Sequence, residues 1–371
     1  MTNLYHSYSF FIQTLETMAI KDYNNLHKNV LHWYDNNKRD LPWRKTKNQK
    51  KDAYKIWVSE IMLQQTTVKA VIPYYNSFIK KWPNVKKLSK SNVNEILEFW
   101  SGLGYYSRAK NLHNTSKIVT KKFNGVFPDN YQDLVSLPGI GSYTAGAILS
   151  IAFNKNASVV DSNIERIILR LKAIKKDPKR TRKEVEEIAK KLTPPKRVGD
   201  YVQALMDIGS SICKSQNPNC INCPINFCCL AYKKGLTTEI PLKQRKINKK
   251  LKKGIVFWIT SKNNNLYLRR QPDNGILPGT LGFPSTKWSE ERLTAKEKEF
   301  SGINNWQKMS GKINHSFSHF DLQLKIYAKY GFDEKELKGE WKQKSKIDKI
   351  GLPTLMKKIY LHALNVEKSK I

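Results

Sequence analysis

The sequence predicts two unlike folded parts, a mainly helical part followed by a smaller α+β part. Helically spaced apolar residues, broken by Pro- and Gly-containing turns, run from residue 20 to about residue 230. After Gly254 the pattern changes to short β-branched and aromatic runs, first at 255–259 and then at 266–268. A chain of 371 residues is long enough for two domains.

The remaining elements follow from the same patterns. Residues 322–330 alternate like a third strand, and helical patterns lie near 290–300 and 352–364. We therefore expect a helical domain at 20–232, a basic linker at 233–253 and an α+β domain at 254–371. Residues 1–19 are expected to form a disordered extension ahead of the first domain.

The charge of the chain is strongly positive. Its 66 Lys and Arg residues exceed its 31 Asp and Glu residues by 35. Codon bias explains part of the lysine excess, but it does not require so few acids. A charge of this size predicts salt-dependent binding to a polyanion, and nucleic acid is favoured over a membrane surface because no basic amphipathic anchor is present. With no apolar run of spanning length and no signal peptide, we expect a cytoplasmic protein.

All five cysteines lie between Cys213 and Cys229. Four of them, Cys213, Cys220, Cys223 and Cys229, have the spacing C-x6-C-x2-C-x5-C. Thiols packed this closely are typical of one metal centre in a reducing compartment, and not of disulfides that join distant segments. Zinc and an iron–sulfur cluster both suit four thiolates, with the spacing slightly in favour of the cluster. Spacing alone leaves open whether the last ligand is Cys229 or Cys228.

A glycine turn lies between two helical patterns, 128–136 and 142–152. The turn reads Leu-Pro-Gly-Ile-Gly, with glycines at Gly139 and Gly141. Such glycines let the backbone approach another surface, and the amides that begin the second helix attract an anion. On so basic a chain, a nucleic-acid phosphate is the expected anion, bound without reading sequence. The alternative is an ordinary helical hairpin.

Two acidic residues stand out from apolar surroundings. Glu60 shares a helix face with Ile56 and Leu63, where an unpaired acid is costly. Burial would raise its pKa and let it act as a general acid, whereas the alternative is a structural ion pair. Asp161 follows an apolar run and precedes helix 164–171, so it is either a helix cap or a catalytic group.

These segments, in this order, resemble the helix–hairpin–helix DNA glycosylases that carry an iron–sulfur cluster. Within that superfamily the chain is similar to the MutY-type adenine DNA glycosylases, over residues from about 20 to about 365. The matching stretches are LPWR (41–44), WVSEIMLQQT (57–66), GLGYYSRAKNLH (102–113), LPGIGSYTAGAILS (137–150), VDSNIERI (160–167), QALMDIGSSIC (203–213) and the cysteine run.

The resemblance implies the fold class and the metal group. It implies an all-α helix–hairpin–helix glycosylase domain with a [4Fe–4S] cluster loop at 213–229, followed by an α+β MutT/Nudix-like domain. It selects iron–sulfur over zinc. It also selects Cys229 over Cys228 beside the other three cysteines.

The resemblance further implies the reaction. Relatives that also cut the backbone, such as endonuclease III, carry a lysine two residues after the glycine turn, and its amine attacks the sugar. Tyr143 occupies that position here, so a monofunctional glycosylase is expected. An endonuclease III-like pyrimidine glycosylase/lyase and a non-catalytic lesion-binding protein are the alternatives. Ser162 departs from the family, which usually has Gly between the Asp and the Asn.

The family's mechanism assigns roles to matching residues. Protonated Glu60 would donate to N7 of an adenine flipped from the duplex, and ionised Asp161 would stabilise the cation that develops on the sugar. Tyr143 and Asn163 would orient the sugar and Asp161. The predicted DNA contacts fall into three sets: Arg44, Trp43, Leu63 and Gln203 around the adenine, Gln65 and Tyr105 in the base stack, and Gly139 and Gly141 on phosphate.

The C-terminal part resembles the domain with which MutY-type enzymes sense 8-oxoguanine. The matching pieces are residues 266–284 and the loop 315–319, so Phe317, Ser318 and His319 are the predicted reader residues. The glutamate run of Nudix hydrolases is missing, and 290–300 does not supply it, so this domain is expected to bind without hydrolysing. Residues 275–280 depart from the family pattern.

The implied partner is double-stranded DNA that contains an A:8-oxoguanine or A:G mispair. The protein is expected to act as a monomer, without a membrane, in the cytoplasm of a bacterium and associated with the nucleoid.

Overall fold

The structure is a computed structural model that describes residues 20–44, 51–242, 248–291 and 305–369. The predicted extension 1–19, part of the linker at 243–247 and most of the helical pattern at 290–300 lie outside these residues. The chain forms two compact units: unit 1 comprises 1–80 and 118–245, and unit 2 comprises 81–117 and 246–371. The helical segment 81–117 thus belongs to the same unit as the C-terminal sheet.

Helices dominate the first two thirds of the chain. In the described residues they are α1 (Ile20–Asn37), α2 (Ala53–Leu63), α3 (Val68–Lys81), α4 (Val85–Ser89), α5 (Val93–Phe99), α6 (Ser107–Lys122), α7 (Tyr131–Val135), α8 (Ser142–Phe153), α9 (Ser162–Leu171), α10 (Pro178–Leu192), α11 (Val198–Ser211), α12 (Leu230–Lys233) and, near the C-terminus, α13 (Thr354–Lys368).

The core of unit 1 is built around α8, which packs against α2 and α11. Its sequence after the first turn is almost entirely apolar and small, and residues 144–151 are buried. A helix that is apolar on every side belongs in the interior. α11 also packs against α1 and α9, which closes the core on the side of the cysteine segment.

Within its described residues, unit 2 contains a seven-stranded mixed sheet. Its strands are β1 (Lys250–Ser261), β2 (Asn265–Arg270), β3 (Leu281–Gly282), β4 (Gln307–Lys308), β5 (Ile313–Ser316), β6 (Phe320–Phe332) and β7 (Glu340–Gln343). The main order is β3-β2-β1-β6-β4, with β5 paired to β6 and β7 paired to β2. The three strands predicted from sequence are confirmed, although β1 begins at Lys250, inside the segment interpreted as a linker.

The central strands explain the apolar runs of the sequence. β1 and β6 are parallel neighbours, and every residue of β1 from Gly254 to Ser261 is buried. Strands covered on both faces read as continuous apolar runs. The predicted C-terminal helix is confirmed as α13, which buries Met356, Ile359 and Tyr360 against the sheet.

No helix among the described residues combines the length and the hydropathy that crossing a lipid bilayer requires.

Candidate active site and cysteine site

Glu60 lies on α2 inside unit 1 and is only 6% exposed. The Tyr143 hydroxyl, from the first turn of α8, donates to Glu60 Oε2 over 2.9 Å. The pKa of Glu60 is raised to about 7, mainly by burial and also by the negative charge of Asp161, while the hydrogen bond from Tyr143 and the charge of Arg44 oppose the rise. Since Oε2 accepts from Tyr143, Oε1 is the oxygen available to carry a proton.

Asp161 caps α9. Its Oδ1 accepts from the backbone N–H groups of Asn163 (3.0 Å) and Ile164 (2.7 Å), and its Oδ2 accepts from Asn163 Nδ2 over 2.9 Å. The cap fixes the carboxylate in one orientation, so the two sequence interpretations of Asp161 are compatible. Ser162 is exposed and its φ is not positive, so a serine fits this turn without strain.

Asn163 is fixed by a second layer of contacts. Arg166 Nη2 donates to Asn163 Oδ1 over 2.9 Å and to the carbonyl of Gly209 over 2.6 Å, while Arg166 Nε donates to the carbonyl of Cys213 over 2.7 Å. A Cβ at Gly209 would lie 2.5 Å from Asn163 Cβ, so only glycine permits this approach. A continuous set of hydrogen bonds therefore joins Asp161 to the backbone of the cysteine segment.

A small cavity of about 50 Å³ opens in front of Glu60. The four residues predicted to surround the adenine all line it: Trp43, Arg44, Leu63 and Gln203. Several of these residues also line an adjoining cavity of about 670 Å³. Gln65 lies outside both linings, just after the end of α2.

Sequence reasoning missed Asp207 and Arg39, which hold the wall of this cavity together with Arg44. Asp207, whose side chain is 1% exposed, accepts from Arg44 Nη1 (2.6 Å) and Nη2 (2.9 Å) and from Arg39 Nε (2.6 Å). Arg44 Nε is buried and has no hydrogen-bond partner within the described part of the chain. Asp207 follows Gln203 by one helical turn, and an acid in the apolar α11 was the signal that could have revealed it.

The glycine hairpin forms as the sequence predicts. Gly139 has a φ of +76°, which favours glycine, and Gly141 starts α8 in an extended conformation without a side-chain cap. The amide groups at the start of α8 therefore remain available to an anion. Gln65, predicted to enter the base stack, also has a left-handed backbone, with a φ of +55°.

In unit 2, Tyr105 and the reader loop are brought together. The hydroxyl groups of Tyr105 and Ser318 form a hydrogen bond. The φ of Tyr105 is +47°, and the residue is 37% exposed. Arg108, which the sequence did not single out, donates to the carbonyls of Leu103 (2.9 Å) and Gly104 (3.1 Å), and its guanidinium lies 5.6 Å from the Tyr105 ring centre.

The reader loop is a tight connection between β5 and β6. Phe317 is half-buried, and its N–H donates to the carbonyl of Phe320 over 2.9 Å, whereas Ser318 and His319 are exposed. Lys249 Nζ donates to the Phe317 carbonyl over 2.7 Å. Lys249 was missed because it lies in the predicted linker. The loop borders a cavity of about 450 Å³. Tyr105 and residues 275–278, whose sequence differs from the family pattern, also line this cavity.

The four predicted metal ligands lie around one small cavity. Cys213, Cys220, Cys223 and Cys229 all line it, whereas Cys228 does not. The Cys228 thiol donates instead to the carbonyl of Ile225, with its sulfur 3.4 Å from that oxygen. Within the described ranges, no three His, Cys, Asp or Glu residues are grouped as ligands of a single ion.

A buried arginine adjoins this cavity. Arg170 is 2% exposed, and its Nη1 lies 3.3 Å from Cys213 Sγ and 2.7 Å from the carbonyl of Lys214. Its Nε donates to the carbonyl of Ile240 over 2.8 Å. The buried guanidinium of Arg170 thus donates to the sulfur of a predicted ligand, Cys213.

Comparisons with known proteins agree with this geometry. Residues 58–195 match the HhH-GPD superfamily of base excision DNA repair proteins, and residues 255–362 match the NUDIX domain. An adenine DNA glycosylase from Buchnera aphidicola (subspecies Acyrthosiphon pisum) is 39% identical over 340 residues, which cover 89% of this chain and 95% of that protein. The human adenine DNA glycosylase is 30% identical, covering 87% of this chain and 69% of that protein.

A solved structure of a thermostable thymine-DNA glycosylase also aligns with the chain. It has a TM-score of 0.52 and 30% sequence identity, and the match covers 58% of this chain and 98% of that one. The two family matches, at 58–195 and 255–362, confirm the predicted order of a helix–hairpin–helix domain and a Nudix-like domain. The chain belongs to the family of adenine DNA glycosylases.

Proposed function

We propose that the protein is a monofunctional glycosylase that hydrolyses the N-glycosidic bond of adenine mispaired with 8-oxoguanine or guanine in double-stranded DNA. The observation that carries this proposal is the arrangement of Glu60, Tyr143 and Asp161. A buried acid with a pKa of about 7 lies in the field of a capped carboxylate, beside a cavity. Glycoside cleavage requires this pairing of a protonated and an ionised acid.

The first chemical step is protonation of the leaving base. Glu60 donates its proton from Oε1 to N7 of the flipped adenine, which makes the base a better leaving group. As the bond to the sugar breaks, positive charge develops on C1′ and the ring oxygen of the sugar. The carboxylate of Asp161, held by its cap and by Asn163, stabilises that charge.

The second step is hydrolysis of the sugar cation. Glu60, now ionised, accepts a proton from water as the water attacks C1′, and an abasic site results. Position 143 supplies no primary amine, because its side chain is a phenol, and that phenol donates a hydrogen bond to Glu60. The proposal therefore includes no Schiff base and no strand cleavage.

Adenine would be held by the residues that line the cavity in front of Glu60. Trp43 and Leu63 supply apolar contact, and Gln203 supplies an amide. Arg44 is fixed by both oxygens of Asp207, so its unused Nε–H is pre-oriented for a base nitrogen. Gly139 and Gly141 would bind phosphate through the amides that begin α8.

Unit 2 would read the base opposite the adenine. Ser318 and His319 are exposed at the tip of the reader loop, and Phe317 anchors that loop in the interior. Tyr105 and Gln65 would enter the base stack. The hydrogen bond between the hydroxyl groups of Tyr105 and Ser318 supports a shared role for the stacking residue and the reader loop.

This proposal is tested by excision on duplexes with adenine opposite 8-oxoguanine or guanine. The protein is expected to excise adenine from both, faster opposite 8-oxoguanine, and Ser318→Ala is expected to reduce that preference several-fold because it removes the hydroxyl bonded to Tyr105. Ser310→Ala, at an exposed serine of the same unit, should leave the preference unchanged. An adduct trapped by borohydride would contradict the monofunctional mechanism, and failure to excise adenine from either duplex would contradict the proposal as a whole.

We further propose that Cys213, Cys220, Cys223 and Cys229 hold a [4Fe–4S] cluster. Four thiols around one cavity, with the Arg170 guanidinium at Cys213 Sγ, suit a tetra-thiolate group. When bound, the cluster would cross-link segment 213–229 by thiolate bonds. Arg166, which donates to the Cys213 carbonyl, would then connect that segment to Asn163.

The ligand assignment is tested by iron content and visible absorbance of the purified protein. Cys229→Ala is expected to lose most of the iron and the iron–sulfur absorbance, because it removes one of four ligands. Cys228→Ala is the matched control and should keep both, since its thiol does not line the cavity. The reverse pattern would assign Cys228 as the fourth ligand, and zinc in place of iron would refute the cluster.

The setting follows from the same proposal. We propose that the enzyme acts as a monomer on genomic DNA in the reducing cytoplasm, where thiols remain available as metal ligands. Its charge of +35 would then accelerate the search for mispairs along the duplex.

A further inference from the structure

The cavity of about 670 Å³ in unit 1 has no part in the proposed function. It adjoins the cavity of about 50 Å³ in front of Glu60. Six of the described residues line both cavities: Arg39, Trp43, Arg44, Ile56, Ile151 and Gln203. The larger volume lies within the range of small-ligand sites, about 300–1,000 Å³. The space proposed for the adenine base therefore has a neighbour that is large enough to hold a free base.

Two helices run alongside both cavities. Residues three or four positions apart share a helix face. On α2, such a face passes from the larger cavity to the smaller one, in the order Asp52, Lys55, Ile56, Ser59, Glu60 and Leu63. On α11, Asp200 lines the larger cavity, Gln203 lines both and Met206 lines the smaller one. Each helix thus forms a continuous wall that joins the two spaces.

The larger cavity lies at the end of these helices away from the predicted DNA contacts. α2 ends at Leu63, just before Gln65, and the rise from Lys55 to Leu63 is about 12 Å. α8 begins after Gly141, a predicted phosphate contact, whereas Ile151, near its other end, lines both cavities. A base that enters from the DNA would therefore find the larger cavity beyond Glu60.

Paired charges and aromatic rings line the larger cavity. Lys51 Nζ lies 3.1 Å from Asp200 Oδ1, and Arg197 Nε lies 3.0 Å from Asp200 Oδ2. Tyr34 and Trp43 supply aromatic surface. Such a lining offers donors and acceptors to the edges of a purine. Because the cations are paired with a carboxylate, the lining suits a neutral base better than an anion.

Under the proposed function, the freed base cannot leave by the way it entered while the DNA stays bound. The base is flipped in from the duplex, and after cleavage the sugar still occupies the approach beside Asp161. The charge of +35 favours slow dissociation of the duplex. The base is thus confined beside Glu60 unless a second way out exists.

We propose that free adenine, a neutral purine base, leaves through the larger cavity, away from the DNA, while the abasic duplex is still bound. The base passes between the side chains that line both cavities and reaches solvent beside Lys38 and Asp40, two exposed residues of the larger lining. This inference rests on the proposed function, since it takes the excision of adenine as given.

The test follows a duplex with one radiolabel in the target adenine and another on the opposite strand, bound by an excess of the full-length protein. A denaturing quench counts cleaved adenine. Filtration through nitrocellulose retains the protein and its bound DNA, so the filtrate counts released adenine and released DNA, and unlabelled duplex added after binding prevents rebinding. We expect adenine to reach the filtrate as fast as it is cleaved, and before the DNA. Adenine that leaves only together with the DNA would overturn the proposal, whereas the absence of cleaved adenine in quenched samples would contradict the proposed function instead.

Lys55→Trp tests the route, because an indole at this position narrows the larger cavity and Lys55 does not line the smaller one. Cleavage in quenched samples should keep the parent rate, while release of adenine into the filtrate should slow at least about tenfold. Lys183→Trp, at an exposed lysine of α10 outside both linings, is the matched control and should change neither rate. Release at the parent rate from Lys55→Trp, with cleavage unchanged, would overturn the proposal. If Lys55→Trp does not fold, Lys38→Trp narrows the same cavity from the end of α1 and decides by the same comparison.

Discussion

Replacement of Glu60 by Gln is expected to lower the single-turnover rate of adenine excision by about 10²- to 10⁴-fold, the range that general acid catalysis contributes. Gln keeps the size of the side chain and an oxygen that can accept from Tyr143. Affinity for the duplex should therefore change little. The rate is measured with enzyme in excess over a duplex that contains adenine opposite 8-oxoguanine.

The pH dependence separates loss of a proton donor from damage to the fold. Because the pKa of Glu60 is raised to about 7, the acid is protonated below that pH, and the excision rate of the unaltered enzyme should fall as pH rises above it. The raised pKa also means that the buried charge costs stability progressively between about pH 4.5 and about pH 7. Glu60→Gln should therefore melt no lower than the parent protein at pH 8.

A matched control for this substitution is Glu187→Gln. Glu187 is an exposed carboxylate on α10 of the same unit, so the control removes the same charge without touching the cavity. It should excise adenine at the parent rate. Normal turnover by Glu60→Gln, or an unchanged pH profile in that variant, would refute the general-acid role.

Replacement of Asp161 by Asn is expected to slow excision by on the order of 10²- to 10³-fold, as removal of one electrostatic stabiliser does in other enzymes. The amide oxygen can still accept from the N–H groups of Asn163 and Ile164, so the cap of α9 is retained. What is lost is the negative charge near the sugar, together with the hydrogen bond that Asn163 Nδ2 donates to Oδ2. Excision by Asp161→Asn is measured on the same duplex.

The pH profile of Asp161→Asn tests whether the loss of the negative charge is the cause of the slower excision. That charge raises the pKa of Glu60, so Asp161→Asn should move the fall in the residual rate to lower pH. A purely structural defect would slow the reaction without moving the profile. Asp333→Asn, at the exposed cap of a short 3-10 helix in unit 2, provides an Asp-to-Asn control.

Sequence reasoning found the acids but not all of their partners. Glu60 could be recognised because an acid on an apolar helical face has few explanations. Its hydrogen bond from Tyr143 could not, because the two residues are 83 positions apart and only tertiary packing brings them together. Asp207 sat in a stretch already noted for its family resemblance, and its pairing with Arg39 and Arg44 spans more than 160 residues.

The division into units exposes a second limit. Periodicity predicts that 81–117 is helical, but it does not show which elements those helices pack against. Ser101 Oγ donates to the carbonyl of Leu352 over 2.5 Å, and a Cβ at Gly351 would lie 2.1 Å from the carbonyl oxygen of Glu98. Contacts across some 250 residues of chain leave no local pattern, so they could not be predicted from one sequence.

Under the proposed function, the left-handed backbones of Gln65 and Tyr105 would affect how fast the protein can examine DNA. Conformations of this kind cost on the order of 1–3 kcal/mol each and persist only where the surrounding structure enforces them. For Tyr105 that enforcement comes from Arg108 and from the hydroxyl of Ser318. This backbone conformation is therefore set when the chain folds, and under the proposed function these two residues would not have to reorder at each encounter with a base pair.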